Sequence, residues 1–143
     1  MQTFLPYPDF FQSLSCLDDK RLGKQRVEAY QLLTLDRASR WWNHPAKQMW
    51  LGYEEALTQY YNLSLIVWTQ RGFRNVMLSP LEIARYVVLP PWIGDTRLHA
   101  SHRSNLLRKK PEYYMKFNWT ESPNLPYFWP ILSKKVIDEL LTQ

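Results

Sequence analysis

The sequence predicts an all-α fold: a single compact domain of about four to six helices joined by long Pro- and aromatic-rich loops. Apolar residues recur at three- and four-residue intervals in several segments. Only four glycines are spread over 143 residues, too few for a sheet built on tight hairpins. The ten prolines fall mostly between the periodic segments, where they stiffen irregular connections. A chain of this length sits at the common size of one domain with one core, so residues 1–143 are read as one unit.

Each element has its own signal. "PDFFQSLSCL" reads as a short lead-in helix with Asp9 near its start. "DDKRLGKQRVEAYQLLTLDR" follows as a clearer helix, with Asp18 or Asp19 at the positive end and Leu22, Val27, Tyr30 and Leu33 as its apolar stripe. Gly23 interrupts it at about 1 kcal/mol relative to alanine, a loss explained by close helix packing or by a strand of DNA approaching the backbone. The stretch from Asn43 to Gly72 gives the strongest helical pattern, with Asn43 or His44 as cap and Pro45 at the first helical position. Met49, Tyr53, Ala56, Leu57, Tyr60, Leu63 and Val67 form its core face. "SPLEIARYVVLP" reads as a shorter helix running into the rigid loop "LPPWIGD". Asp95 or Thr96 then caps "TRLHASHRSNLLRKK", which stops near Pro111. "PEYYMKF", the loop "NLPYFWP" and an amphipathic helix "SKKVIDELLTQ" complete the chain.

The single cysteine, Cys16, excludes an internal disulfide and fits a reducing compartment, with a small buried hydrophobe as its role. No basic residue precedes Lys20, and Pro6 and Pro8 break the region where a signal peptide needs an apolar run. The apolar run "LIVW" is far below the roughly 18 residues needed to span a bilayer, so a soluble, cytoplasmic protein with no membrane partner is expected.

The net charge of +5 is informative once located. Residues 97–116 carry a local +5, and Lys20, Arg21, Lys24 and Arg26 crowd into seven positions without an acid. Two concentrated basic patches fit a polyanion partner; a solvated surface that happens to be basic is the alternative. Arg21, Lys24 and Glu28 share a helix face, with Gln25 beside them. An exposed Lys24–Glu28 ion pair explains that spacing at a few tenths of a kcal/mol. A carboxylate held close to docked phosphates is otherwise a costly placement, unless it stabilises positive charge developing on a sugar. Arg97, Ser101, Asn105 and Arg108 form a second row of groups suited to phosphate oxygens, with Arg103 and Lys109 on the same basic helix. His44 is placed with this DNA-contacting set. His99 and His102 could make a metal site with His44, yet no nearby cysteine or acid completes it, and a histidine on an apolar row such as His102 is more often a satisfied core residue, so no metal is expected. Trp92 and Trp129, in Pro-flanked loops, are core residues or aromatic wedges.

Together "MQTFLPYPDF", "LDDKRLGKQRVE", "NHPAKQMWLGYEEAL", "LPPWIGD", "HASHRSNLLRKKPEYY" and "NLPYFWP" resemble the pyrimidine-dimer DNA glycosylases, also called phage-type endonuclease V. The resemblance spans nearly the whole chain and implies an all-α, metal-free enzyme with no cofactor, acting as a monomer on double-stranded DNA that contains a damaged or modified base. It also implies cleavage of the glycosidic bond followed by β-elimination, with the α-amine of the first residue as nucleophile and one helix glutamate as its partner. Glu28 matches that glutamate, and Lys20, Arg21, Lys24, Gln25 and Arg26 match the DNA-contacting stretch.

A free α-amine has a pKa near 8 against about 10.4 for lysine, so its nucleophilic fraction near pH 7 is a few hundred times larger. This sequence departs from the family's threonine second residue: Gln2 is too large for ordinary methionine removal. Met1 is therefore expected to be retained and to supply the amine. Two other functions fit the residues: a glycosylase for a single modified base without lyase activity, with Glu28 positioning water, and a non-catalytic DNA-binding module.

Overall fold

The computed structural model describes residues 1–76, 78–84 and 86–131. Among them lie six α-helices, one short 3-10 helix and no strand, in the order α1 (Phe10–Ser15), α2 (Asp19–Thr34), α3 (Pro45–Gln48), α4 (Glu54–Gln70), α5 (Thr96–Lys109) and α6 (Pro111–Tyr114), with the 3-10 turn at Met115–Phe117. The expected helix at 133–143 lies outside the described residues. No helix among them is long and apolar enough to cross a membrane.

The caps follow the sequence. Asp9 accepts from the Gln12 amide to start α1, His44 Nδ1 accepts from Ala46 ahead of Pro45, and Asp95 accepts from Arg97. Each satisfies an amide that the first turn leaves without a partner. Gly72, at φ +92°, follows the Arg71 cap and ends α4 where expected.

Three expectations are corrected. The stretch from Asn43 to Gly72 is two helices, α3 and α4, separated by turns at 49–53. Gly52 adopts φ +84°, a left-handed conformation that glycine reaches without strain, and its amide donates to Glu54 Oε1. Residues 79–90 are not a helix where they are described. This segment runs along α4, held by Tyr61 on the Ser79 carbonyl, Asn62 on both backbone groups of Leu81, and Glu55 on the Ala84 amide. Side chains of α4 thus supply partners that a helix would have supplied internally. On α2 the buried residues are Leu22, Gln25, Ala29 and Leu32, while Val27 and Tyr30 are exposed. The buried face is turned away from the expected stripe because it carries a polar residue, Gln25, where apolar periodicity has no entry.

The core forms where α1 and α2 pack on α4. Phe10, Trp50, Tyr60 and Trp92 make an edge-to-face aromatic cluster, and the Trp92 indole donates to the Met49 carbonyl, which places Trp92 in the core. Gly23 sits against Trp68: a Cβ there would lie 3.1 Å from the indole ring, tight enough that the ring would have to shift by a few tenths of an ångström. Close helix packing is therefore its reason. Lys47 is buried and its Nζ donates to the Leu32 carbonyl at 2.7 Å beneath the Trp42 ring, closing the C-terminal end of α2 with a cation. Cys16 is buried, its thiol donates to the Ser13 carbonyl, and burial pushes its pKa up to about 12, as a small hydrophobe would behave.

Candidate active site

The first six residues thread into the core because polar side chains from three helices take up their backbone groups. From α2, Gln25 is 1% exposed and uses its whole amide: Oε1 accepts from the Phe4 amide at 2.9 Å, and Nε2 donates to the Gln2 carbonyl and to Glu28 Oε2, both at 3.0 Å. The Tyr60 hydroxyl of α4 lies 2.7 Å from Gln25 Oε1 and 2.9 Å from the Phe4 carbonyl. From α5, His102 Nδ1 accepts from the Leu5 amide and His99 Nδ1 lies 2.7 Å from the Leu5 carbonyl, while His99 Nε2 accepts from Gly94. These contacts make His99 an Nδ1–H donor and His102 an Nδ1 acceptor. The two histidines clamp one residue, Leu5, by its N–H and its C=O. Burial holds both below the ordinary imidazole value, His102 at about 3, so they are neutral struts.

This anchoring opens a cavity of about 300 Å³ beside the start of the chain, lined by Met1, Gln2, Phe4, Lys20, Arg21, Lys24, Gln25, Glu28, Lys109 and Tyr127. The floor carries the Glu28 carboxylate, linked through a single amide nitrogen of Gln25 to the backbone of residue 2. No ion pair to Glu28 exists among the described residues, so the Lys24–Glu28 pair that the spacing allows does not form. Lys20, Lys24 and Lys109 likewise have no ion-pair partner among the described residues. Burial, then the charges of Arg21, Arg108 and Lys24, hold Lys109 below the usual lysine value against the opposing pull of Glu28. Unpaired cations facing a concave surface attract an anion.

The other sequence-derived candidates lie elsewhere. Arg26 stacks on Trp68 at 4.3 Å and donates to Asn75, on the side of α2 that meets α4. Ser101 and Asn105 are buried: the Ser101 hydroxyl donates to Leu98 and accepts from Phe128, and Asn105 donates to the Ser101 carbonyl and accepts from Arg108. Their polar atoms hold residues 125–128 against α5. Arg103 is bound to Glu121 at 2.6 Å and to the Pro6 carbonyl, strapping the first segment down. Arg97 is exposed but paired with Asp95 over the Phe128 ring. Arg108 is exposed and leans on the Pro123 carbonyl. His44, besides capping α3, lies between Trp41 and Trp129, with ring centroids 5.5 and 5.8 Å away. Burial, and then the positive chain start, hold it below its ordinary value, which sets it within electrostatic reach of Met1.

Three lining residues have no clear sequence signal. Gln2 reads only as a bulky neighbour of Met1, Phe4 carries no signal of its own, and Tyr127 is overshadowed by Trp129 in the same loop. A family model described as pyrimidine dimer DNA glycosylase matches residues 1–79, more than half of the chain. The chain belongs to the pyrimidine dimer DNA glycosylase family. No curated protein and no solved structure matches. The matched portion holds Met1, Gln2, Phe4, Lys20, Arg21, Lys24, Gln25 and Glu28, so eight of the ten lining residues of the cavity come from the family-defining part of this glycosylase, and Lys109 and Tyr127 are added from beyond it.

Proposed function

We propose that this glycosylase cleaves the N-glycosidic bond of a damaged pyrimidine, one of the two joined in a pyrimidine dimer, in double-stranded DNA and then cuts the strand as an apurinic/apyrimidinic lyase, using the α-amine of Met1 as nucleophile and Glu28 as the charged partner. The observation that supports this reading is the shared cavity of Met1 and Glu28 beneath Lys20, Arg21, Lys24 and Lys109. The amine lone pair forms a bond to C1′ as the glycosidic pair leaves with the base, which takes up a proton. Loss of the amine proton and opening of the sugar give a protonated imine. Glu28 stabilises the positive charge on the sugar, then accepts the C2′ proton, and the C3′–O bond breaks with the phosphate as leaving group. Water hydrolyses the imine and restores the amine.

The proton accepted by Glu28 needs a rigid carboxylate, and the Gln25 bridge supplies it: one amide nitrogen fixes Glu28 and the Gln2 carbonyl together. The lining cations hold the strand by its phosphates, and bending at the lesion places a base outside the stack and opens the sugar to the amine. Incubation with ultraviolet-irradiated duplex, unirradiated duplex and duplexes carrying single modified bases tests the substrate. Strand breaks confined to the irradiated duplex are expected. Release of a single modified base without strand breaks contradicts the lyase, and an intact duplex in every case contradicts catalysis.

A further inference from the structure

The start of α2 departs from ordinary capping. Asp18 stands at the N-cap position, yet its side chain makes no capping hydrogen bond to the helix. The carboxylate is 2% exposed and turned toward α6, where the buried Tyr114 hydroxyl donates to Asp18 Oδ1 and accepts from the Asp18 amide. Arg21 Nη1 sits 3.2 Å from both carboxylate oxygens. Burial pushes the Asp18 carboxyl up, and the Tyr114 hydroxyl, Arg21 and Lys110 outweigh it, leaving it below the usual value and charged. Arg21 Nε and Nη2 take no partner among the described residues and are not sealed from solvent, and Arg21 lines the cavity with Met1 and Glu28.

A guanidinium gripped at one nitrogen presents its opposite edge as a two-pronged donor, the geometry that matches two oxygens of one phosphate. We infer that Asp18 and Tyr114 are positioning residues that hold Arg21 with its Nε/Nη2 edge toward a phosphate of the bound strand at the mouth of the cavity. Tyr114 lies 96 residues from Asp18 in sequence and acts only through it. This rests on the reading of the cavity as the place where the DNA strand docks.

The test measures the binding of irradiated duplex across a salt series, together with kcat, KM and thermal stability, for wild type, Tyr114→Phe, Arg21→Gln and the double variant. Each phosphate contact contributes about 0.9 to the slope of log affinity against log salt. Arg21→Gln lowers affinity about tenfold and the slope by about 1. Tyr114→Phe raises KM and lowers the slope in the same sense, with kcat little changed, and adds nothing to the slope in the Arg21→Gln background. A loss of thermal stability with the wild-type slope retained, or effects of the two substitutions that multiply, overturns the inference. Arg21→Lys reads the same point without touching the buried pair: it keeps the charge and loses the fork, so an affinity near that of Arg21→Gln supports the proposal and an affinity near wild type overturns it. A wild-type chain that binds no duplex removes the docking reading itself and the inference with it, an outcome distinct from wild-type binding whose salt slope ignores Tyr114.

Discussion

At the scale of single residues, Gln25 and Glu28 show how a polar group buried by folding becomes a tool. Glu28→Gln keeps the shape and removes the carboxylate, so strand cleavage of irradiated duplex falls about 100- to 10,000-fold while affinity changes little; burst and steady-state rates read this directly. Gln25→Ala strips the partner from the Phe4 amide and the Gln2 carbonyl at once. A stability loss of about 2–4 kcal/mol in denaturant titration is expected, with activity lost beyond what unfolding explains. His102 sets an acid limit. Its folded value near 3 lies below the unfolded value of about 6.5, so the unfolded chain binds the extra proton. The stability is therefore full above about pH 6.5 and declines as pH falls, by about 2 kcal/mol at pH 5 from this group alone, and His99 shifts in the same direction. Unfolding followed between pH 7.5 and 5 checks it, and His102→Asn removes this group's share of the dependence while leaving that of His99.

At the scale of elements, helix starts were legible and the partition of the long segment was not. Asp9, His44 with Pro45, Asp95 and Gly72 each carry a local backbone requirement, and local requirements are written in local sequence. Gly52 broke the 43–72 pattern even though apolar spacing runs through it, because Met49 and Trp50 reach the core from a turn as well as from a helix. Residues 79–90 depart from the helical pattern for a related reason: their partners are Tyr61, Asn62 and Glu55 on α4, and no local window contains them. In the site, Met1, Glu28, Lys20, Arg21 and Lys24 could be grouped from helix periodicity and family resemblance. Tyr127 and the Asp18–Tyr114 contact could not, since each joins segments about a hundred residues apart. The α2–α4 contact offers a check: a methyl at Gly23 needs the Trp68 ring to move by a few tenths of an ångström, and that ring is held by the Arg74 carbonyl, Arg26 and Phe73, so in denaturant titration Gly23→Ala gains less than the about 1 kcal/mol that alanine's helix preference alone would give.

At the scale of the whole molecule, the fold works as a device for holding the start of its own chain. Residues 2–6 are buried, and α2, α4 and α5 each contribute a side chain to their backbone. The charge is distributed to match: Arg26, Arg71 and Arg103 are spent on internal contacts, while Lys20, Lys24 and Lys109 face the cavity without ion-pair partners among the described residues. Lys24→Ala and Lys109→Ala should each reduce the salt slope of duplex binding by about 1, whereas Arg26→Ala should lower stability and leave that slope intact.

The most direct measurement is borohydride trapping on a duplex carrying a pyrimidine dimer, followed by mass spectrometry of the cross-linked peptide. A covalent adduct on the α-amine of Met1, abolished by prior acetylation of that amine, is expected. An adduct on Lys109, an adduct that survives the acetylation, or no adduct while the strand is still cut would contradict it.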